Sequence, residues 1–216
     1  MIPFQKDFLI RELKRSYAAA LRLSVQSLAQ EINDIGFQCL GCGQCCQGDD
    51  NSVVVFPFEI RRIMAKTDLD WLQIARPPKD GEWDSNGDFH TLEWRLKKIG
   101  PDCRFYQKGK CTIYSFRPLL CRTYPFYLVD GELCCSECSG LGRKIEMDRA
   151  REIAEQLILR HITEIKEALA LTERYEDFQR GSCQEGGSYV VHDSEGEHRF
   201  PRFTAPRSSP HPRSCQ

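Results

Sequence analysis

Four of the chain's cysteines fall within eight residues. Residues 39–46 read CLGCGQCC, which spaces the cysteines as C-x-x-C-x-x-C-C with two glycines between them. Packing a hydrophobic core does not require thiols at this density. A metal ion or an iron–sulfur cluster does, because each centre needs several thiolates about 2.3 Å from a metal ion. The stretch therefore predicts a metal centre.

The spacing indicates which thiols of this stretch could bind the same metal centre. Cys39, Cys42 and Cys45 are each three residues apart, so a tight loop could wrap around one centre with three sulfurs aimed inward. Bacterial ferredoxins use the same run for a cubane cluster. Cys46 has three open roles, since neighbouring side chains in extended backbone point apart. It could reach a second centre, bind the same centre from a kinked backbone, or remain free.

The remaining ligands must come from further along the chain. Candidates for a fourth ligand are Cys103, Cys111, Cys121 and Cys138. Zinc also takes four thiolates, so the spacing indicates a metal centre without identifying the metal. The C-x-x-x-C-x-x-C run of radical S-adenosylmethionine enzymes is absent, as are phosphate-loop and dinucleotide fingerprints. Cys183 and Cys215 lie outside the cysteine-rich regions, and we expect free thiols there.

Composition narrows the class of protein. The 216 residues carry a net charge of −1, so no basic excess indicates a nucleic-acid partner. The N-terminus has charges inside its apolar pattern and lacks a signal-peptide core, and no apolar run is long enough for a membrane span. We expect a cytoplasmic protein whose thiols stay reduced. The alternative is a secreted, disulfide-rich domain, although such domains are usually shorter.

Two helical patterns flank the cysteine-rich region. Apolar residues recur at spacings of three, four or seven over residues 4–35, which predicts a long amphipathic helix ended by Gly36. A second pattern runs over residues 146–178. Between them, residues 103–114 predict a hairpin with Cys103 and Cys111 side by side, and residues 126–135 predict another across Asp130-Gly131. A third small hairpin is expected over residues 188–200.

These elements predict an α+β protein. Two long helices would pack on a small, irregular, cysteine-rich centre of strands and loops that binds metal. Residues 1–35 would form an N-terminal helix packed on the body, and residues 36–142 the metal- or cluster-binding core. Residues 143–181 would add the C-terminal long helix of the same domain, and residues 182–216 a small hairpin and a disordered tail.

Five ordered motifs of this region resemble the CxxCxxCC, or YkgJ-like, cysteine-cluster family. They are residues 39–46, CRFY at 103, CTIY at 111, RPLLCRTYPF at 117 and CSG at 138, and the resemblance covers roughly residues 36–142. The family is described as zinc- or iron-chelating and includes a flagellin lysine N-methylase branch. The resemblance implies eight metal ligands, which are Cys39, Cys42, Cys45, Cys46, Cys103, Cys111, Cys121 and Cys138. Cys134 and Cys135 lie outside the family pattern.

The chemistry and the resemblance together leave three functions. The first is a metal-binding protein that holds an iron–sulfur cluster, of the 4Fe-4S type, or zinc, with a redox-linked role. The second is a structural zinc protein with an interaction role. The third, by family analogy alone, is a protein-lysine methylase-like or oxidoreductase enzyme. Arg117 and Arg122 flank Cys121 and could offset thiolate charge, bind an anionic ligand, or form ordinary salt bridges.

Overall fold

The computed structural model describes residues 3–48 and 51–202. It is 40% helical and 23% strand, so the prediction of an α+β protein is confirmed. The α-helices of the described residues are α1 (Pro3–Ala20), α2 (Val25–Ile35), α3 (Pro57–Met64), α4 (Trp71–Ile74), α5 (Leu119–Thr123) and α6 (Met147–Arg174).

The N-terminal region forms two helices, so the prediction of one helix over residues 4–35 is wrong. The α1 helix ends at Ala20 and α2 begins at Val25. Ser24 caps α2 because its hydroxyl accepts a hydrogen bond from the Ser27 N–H at 3.2 Å. The apolar stripe continues across this break and therefore conceals it. Gly36 ends α2 as predicted, with a φ of 73° that favours glycine.

The predicted second long helix is present as α6. It packs against α1, α2, α5 and the first strand of a hairpin described below. Its buried face includes Ile153 and Leu157, which join Leu28 and Ile32 of α2 in one apolar cluster with Phe126. Burial of such side chains contributes about 1.5–3 kcal/mol each. This cluster, here called the helical core, stabilises one half of the molecule.

Most strands near the cysteines are only two or three residues long. The strands of the described residues are β1 (Val54–Val55), β2 (Ala75–Arg76), β3 (Glu82–Trp83), β4 (Phe89–Leu92), β5 (Trp94–Leu96), β6 (Lys98–Ile99), β7 (Asp102–Cys103), β8 (Tyr106–Gln107), β9 (Lys110–Cys111), β10 (Phe126–Val129), β11 (Glu132–Cys135), β12 (Ser188–Asp193) and β13 (Gly196–Pro201).

A second apolar cluster joins these strands to α3 and α4. Strands β1, β5 and β2 form a small antiparallel sheet in that order. Trp94 on β5 is 1% exposed and packs with Ile60 and Ile63 of α3. The thiols of Cys103, Cys111 and Cys121 pack against the same cluster. This cluster, here called the strand core, therefore packs against one side of the predicted metal-binding region.

The predicted hairpin over residues 188–200 is present, and it extends a larger sheet. Strands β12 and β13 pair antiparallel from Asp193 and Gly196 outward. The β12 strand also pairs parallel with β4, placing Tyr189 opposite Phe89, and β3 completes the order β13-β12-β4-β3. The predicted disordered tail lies outside the described residues from residue 203 onward.

The two hairpins of the cysteine region differ in their agreement with the prediction. Strands β10 and β11 pair as predicted, across Asp130 and Gly131 at positive φ. In the other hairpin, a two-residue turn at Lys108-Gly109 fixes a register in which Tyr106 lies opposite Cys111. Cys103 instead belongs to β7, where it pairs with Lys98. The predicted side-by-side pairing of Cys103 and Cys111 is therefore wrong.

We searched the described residues for helices able to cross a membrane. Within residues 3–48 and 51–202, no helix combines the necessary length with sufficient apolar character.

Candidate metal centre

One cavity of about 380 Å³ collects the cysteines that the resemblance implied as ligands. It lies where the loop of residues 37–46 meets strands β7 and β9, helix α5 and the turn at residues 138–140. Cys134 and Cys135 on β11 are outside its lining. The cysteines that line it are Cys39, Cys42, Cys45, Cys46, Cys103, Cys111, Cys121 and Cys138.

The loop that carries the first four cysteines is shaped by a left-handed residue and a tight helical turn. Gly43 has a φ of 76°, and residues Gln44–Cys46 then form a 3-10 turn closed by the Cys46 N–H donating to the Gly43 carbonyl at 2.8 Å. Cys45 and Cys46 therefore stand in kinked rather than extended backbone. Their sulfurs are 3.9 Å apart, a separation at which two thiolates can share one centre.

Gly43 also allows the loop to approach the β8–β9 hairpin. A Cβ atom built on Gly43 would lie 2.2 Å from the Tyr106 ring. The Tyr106 hydroxyl donates to the Cys42 carbonyl at 3.4 Å, which ties the hairpin to the loop. Glycine is thus required here both for backbone conformation and for space.

We predict that Gly43→Ala displaces the loop and destabilises the protein by about 1–3 kcal/mol, because it adds a strained φ to a steric clash. Metal affinity should fall with it. Urea unfolding and zinc titration would measure the two effects. Gly41→Ala is a matched control, since Gly41 has a φ of 64° but its Cβ would meet no atom within 4 Å. Equal effects of the two substitutions would contradict the role given to the Tyr106 contact.

The far side of the loop is joined to the turn that carries Cys138. The Gln38 N–H donates to the Gly140 carbonyl at 3.0 Å, and Phe37 bridges to Leu141. The Ser139 hydroxyl donates to Gln44 Oε1 at 3.1 Å. These contacts bring a cysteine from residue 138 to the cavity that begins at residue 39, across nearly one hundred residues of chain.

The three cysteines of the cavity floor are more buried than three of the four loop cysteines. Cys39, Cys42 and Cys45 are exposed, whereas Cys103, Cys111 and Cys121 are partly covered. Burial raises the pKa of the latter three thiols, and negative charge on neighbouring cysteines raises it further. A bound cation would favour the thiolates, so metal binding here would release protons.

The pKa values of Cys45 and Cys46 are shifted in opposite directions. The hydrogen bond from the Cys46 thiol lowers the pKa of Cys45 to about 6, and the nearby Arg117 charge also favours its thiolate. The same hydrogen bond, together with burial, raises the pKa of Cys46. The pair therefore favours one thiolate and one thiol before any cation binds.

The donor set fits a soft metal or a cluster. The lining described above contains eight sulfur atoms and no aspartate, glutamate or histidine, which is the ligand chemistry of zinc and iron–sulfur sites. Four thiolates at 2.3 Å around one zinc would be about 3.8 Å apart. Among the described residues, no three His, Cys, Asp or Glu side chains form a group that could hold a single metal ion.

Among the described residues, no histidine lines the cavity. Two histidines contact each other, which the sequence does not predict. His90 on β4 and His192 on β12 are both buried, and His90 Nδ1 is 2.8 Å from His192 Nε2. Asp84 Oδ2 lies 3.4 Å from His90 Nε2. The parallel pairing of β4 with β12 creates this contact, and only the long-range topology could have revealed it.

One cysteine prediction outside the cavity is wrong. The sequence predicts a free thiol at Cys183, which is instead disulfide-bonded. Its sulfur also accepts a hydrogen bond from Arg202 Nη1 at 3.2 Å. Cys215 lies outside the described residues.

The fold and the cavity define a thiol-rich region, and the comparison with protein families assigns metal chelation to it. Residues 38–139, a little under half of the chain, match the CxxCxxCC family, described as "Putative zinc- or iron-chelating domain". The resemblance read from the cysteine motifs is therefore confirmed. The match supports chelation of zinc or iron as the function of this region.

A curated relative and the solved structures add little about activity. The chain is 27% identical over 97 residues to the "Uncharacterized protein MJ0661" of Methanocaldococcus jannaschii, which is 44% of this chain and 47% of that protein. The chain thus spans about half the length of this relative. No solved structure matches the chain significantly.

Proposed function

We propose that the chain is a metalloprotein that holds an iron–sulfur cluster, of the 4Fe-4S type, in the cysteine-lined cavity. The observation that carries the proposal is the convergence of eight cysteines, spread over one hundred residues, on one space of about 380 Å³. Eight thiols exceed the four that a cubane requires. The remaining thiols could bind zinc nearby or take over when a ligand is lost.

The number of thiols on one cavity and the spacing of the loop cysteines favour a cluster over a lone ion. The loop of Cys39, Cys42 and Cys45 has the ferredoxin spacing. Cys103, Cys111 and Cys121 would supply ligands from the opposite wall.

The arrangement also supports a redox-linked role. When bound, a cluster of this kind supplies one-electron transfer. The strand core covers the floor thiols and keeps water from that side, while Cys39, Cys42 and Cys45 on the exposed loop leave the other side near the surface. A protein that exchanges electrons needs this combination of a shielded and an accessible face.

Structural zinc is the second candidate. Strands β6 to β9 are two residues long each and pair only as isolated two-stranded ladders. Two-stranded ladders are marginal in water, so a zinc ion bound by four thiolates would stabilise them. In this alternative the region would serve as an interaction module. The lysine-methylase-like or oxidoreductase alternatives rest on family analogy alone.

Metal and sulfide analysis after anaerobic purification tests the proposal. Wild-type protein should be brown and contain about four iron and four acid-labile sulfide per chain. Cys121→Ser should lose most of the iron, because Cys121 lines the cavity floor. Cys135→Ser is the matched control, since Cys135 is exposed and outside the lining. Colourless anaerobic protein with stoichiometric zinc would reject the cluster in favour of the zinc alternative.

A further inference from the structure

The cysteine cavity has a pronounced charge asymmetry. Its lining includes Arg117, Arg122 and Arg149, while no aspartate or glutamate contributes to the lining described above. We propose that Arg117 is a positioning residue whose fixed positive charge stabilises the anionic metal–thiolate centre. This inference rests on the proposed function, because it concerns the metal centre of the same cavity.

Arg117 is held in one orientation by three contacts. Its Nε donates to the Cys121 carbonyl at 2.9 Å, and its Nη1 donates to the Tyr114 carbonyl at 3.2 Å. Its guanidinium carbon stands 3.7 Å from the centroid of the Tyr114 ring, a close cation–π contact. These contacts attach the charge directly to the turn that carries Cys121. The guanidinium therefore cannot swing away to solvent without breaking them.

Two further arginines fix the backbone of Arg117. The Arg117 carbonyl accepts from Arg122 Nε at 2.8 Å and from Arg62 Nη2 at 3.2 Å. Arg62 in turn lies 3.7 Å from the buried carboxylate of Glu59. Of these three arginines, Arg62 is the one with a described carboxylate contact, so positive charge exceeds negative charge among these residues.

An anionic centre in the cavity would balance this excess. A divalent ion bound by four thiolates keeps two negative charges. Fixed positive charge beside such a centre favours the thiolate form, in the way that second-shell groups tune metal sites.

Ordinary salt bridging explains Arg117 less well. The contacts described for its side chain are two backbone carbonyls and an aromatic ring. A surface salt bridge would instead place a carboxylate on the guanidinium, as Glu152 does for Arg149 at 2.5 Å. Arg149 lines the same cavity but already has this partner. It therefore provides a control of the same residue type.

Zinc affinity at pH 7, measured by competition with a chromophoric chelator, tests the inference on reduced, metal-free full-length protein. We expect Arg117→Gln to bind zinc about 10–100-fold more weakly than wild type. Arg117→Lys should stay within about fivefold of wild type because it keeps the charge. Arg149→Gln should stay within about threefold, since its charge is already paired. Circular dichroism of the metal-free variants shows whether each is folded.

The outcomes separate this inference from the proposed function. If wild type binds no zinc or iron, the proposed metal centre fails. If wild type binds zinc and Arg117→Gln binds equally well, the inference is overturned while the metal centre stands. If Arg117→Lys is as weak as Arg117→Gln, charge is not the cause and the inference is also overturned. Should Arg117→Gln not fold, Arg117→Lys decides: affinity near that of wild type supports the inference, and a loss greater than tenfold overturns it.

Discussion

Removal of the metal is expected to unfold the cysteine region while the helical core stays folded. If a centre joins the loop of residues 39–46 to Cys103, Cys111, Cys121 and Cys138, its binding free energy contributes to folding, and chelation should cost several kcal/mol. Strands β6 to β9 have only two residues each to stabilise them. Helices α2 and α6 bury their own apolar cluster and do not depend on the thiols.

Amide hydrogen exchange, with and without a strong chelator under reducing conditions, measures this difference. Protection should be lost over residues 38–48 and 102–112, and retained in α2, in α6 and in α5, which packs against α6. The β10–β11 hairpin should also stay protected, because Phe126, Leu128 and Leu133 pack in the helical core. Cys121→Ser should reproduce the effect of the chelator, and Cys135→Ser should not. Unchanged exchange and protease resistance after complete metal removal would show that metal does not organise this region.

Replacement of Glu59 by alanine is expected to destabilise the metal-free protein by about 3–5 kcal/mol. Glu59 is 1% exposed. Its Oε1 accepts from the Leu119 N–H at 2.7 Å, and its Oε2 accepts from the Phe56 N–H at 3.2 Å. One carboxylate therefore caps the start of both α3 and α5. Burial raises the pKa of Glu59, and these two N–H groups together with Arg62 oppose that effect.

The loss of stability follows from the buried polar groups that Glu59→Ala leaves without partners. Alanine would strand two buried backbone donors and remove the only described carboxylate partner of Arg62. Urea unfolding of metal-free protein gives the free energy directly. Glu59→Gln should cost less, since its carbonyl oxygen can still accept one of the two hydrogen bonds. Arg61→Ala removes the exposed ion pair with Glu195 from the same helix and should cost less than about 1 kcal/mol. A Glu59→Ala effect as small as that of Arg61→Ala would contradict the double-cap role.

Turn residues and apolar periodicity in the sequence are enough to predict the helices and hairpins that depend on neighbouring residues. The β10–β11 hairpin follows from Asp130-Gly131, whose positive φ values suit a two-residue turn. Helix α6 follows from a long apolar stripe. The cysteines of the cavity were named through spacing and family resemblance, and the structure places all of them on one cavity. Their role as ligands remains a prediction.

Other features depend on contacts that no local pattern contains. The chain breaks between α1 and α2 because Ser24 caps a new helix instead of continuing the first one. The apolar stripe has the same spacing on both sides of the break and does not reveal it. The sequence predicts the wrong neighbour for Cys103. The Lys108-Gly109 turn pairs Cys111 with Tyr106, which lies three residues after Cys103. Glu59 reads as an ordinary helix residue, and its second cap, on Leu119, lies sixty residues further along.

The parallel pairing of β4 with β12 sets an order of events during synthesis. Strand β4 ends at Leu92 and finds its partner only when residues 188–193 have been made. Every cavity cysteine precedes residue 139. Since chains are made from the N-terminus, the eight cavity thiols leave the ribosome before this sheet can close. The nascent chain therefore exposes a full set of thiols for capture or oxidation before the fold is complete.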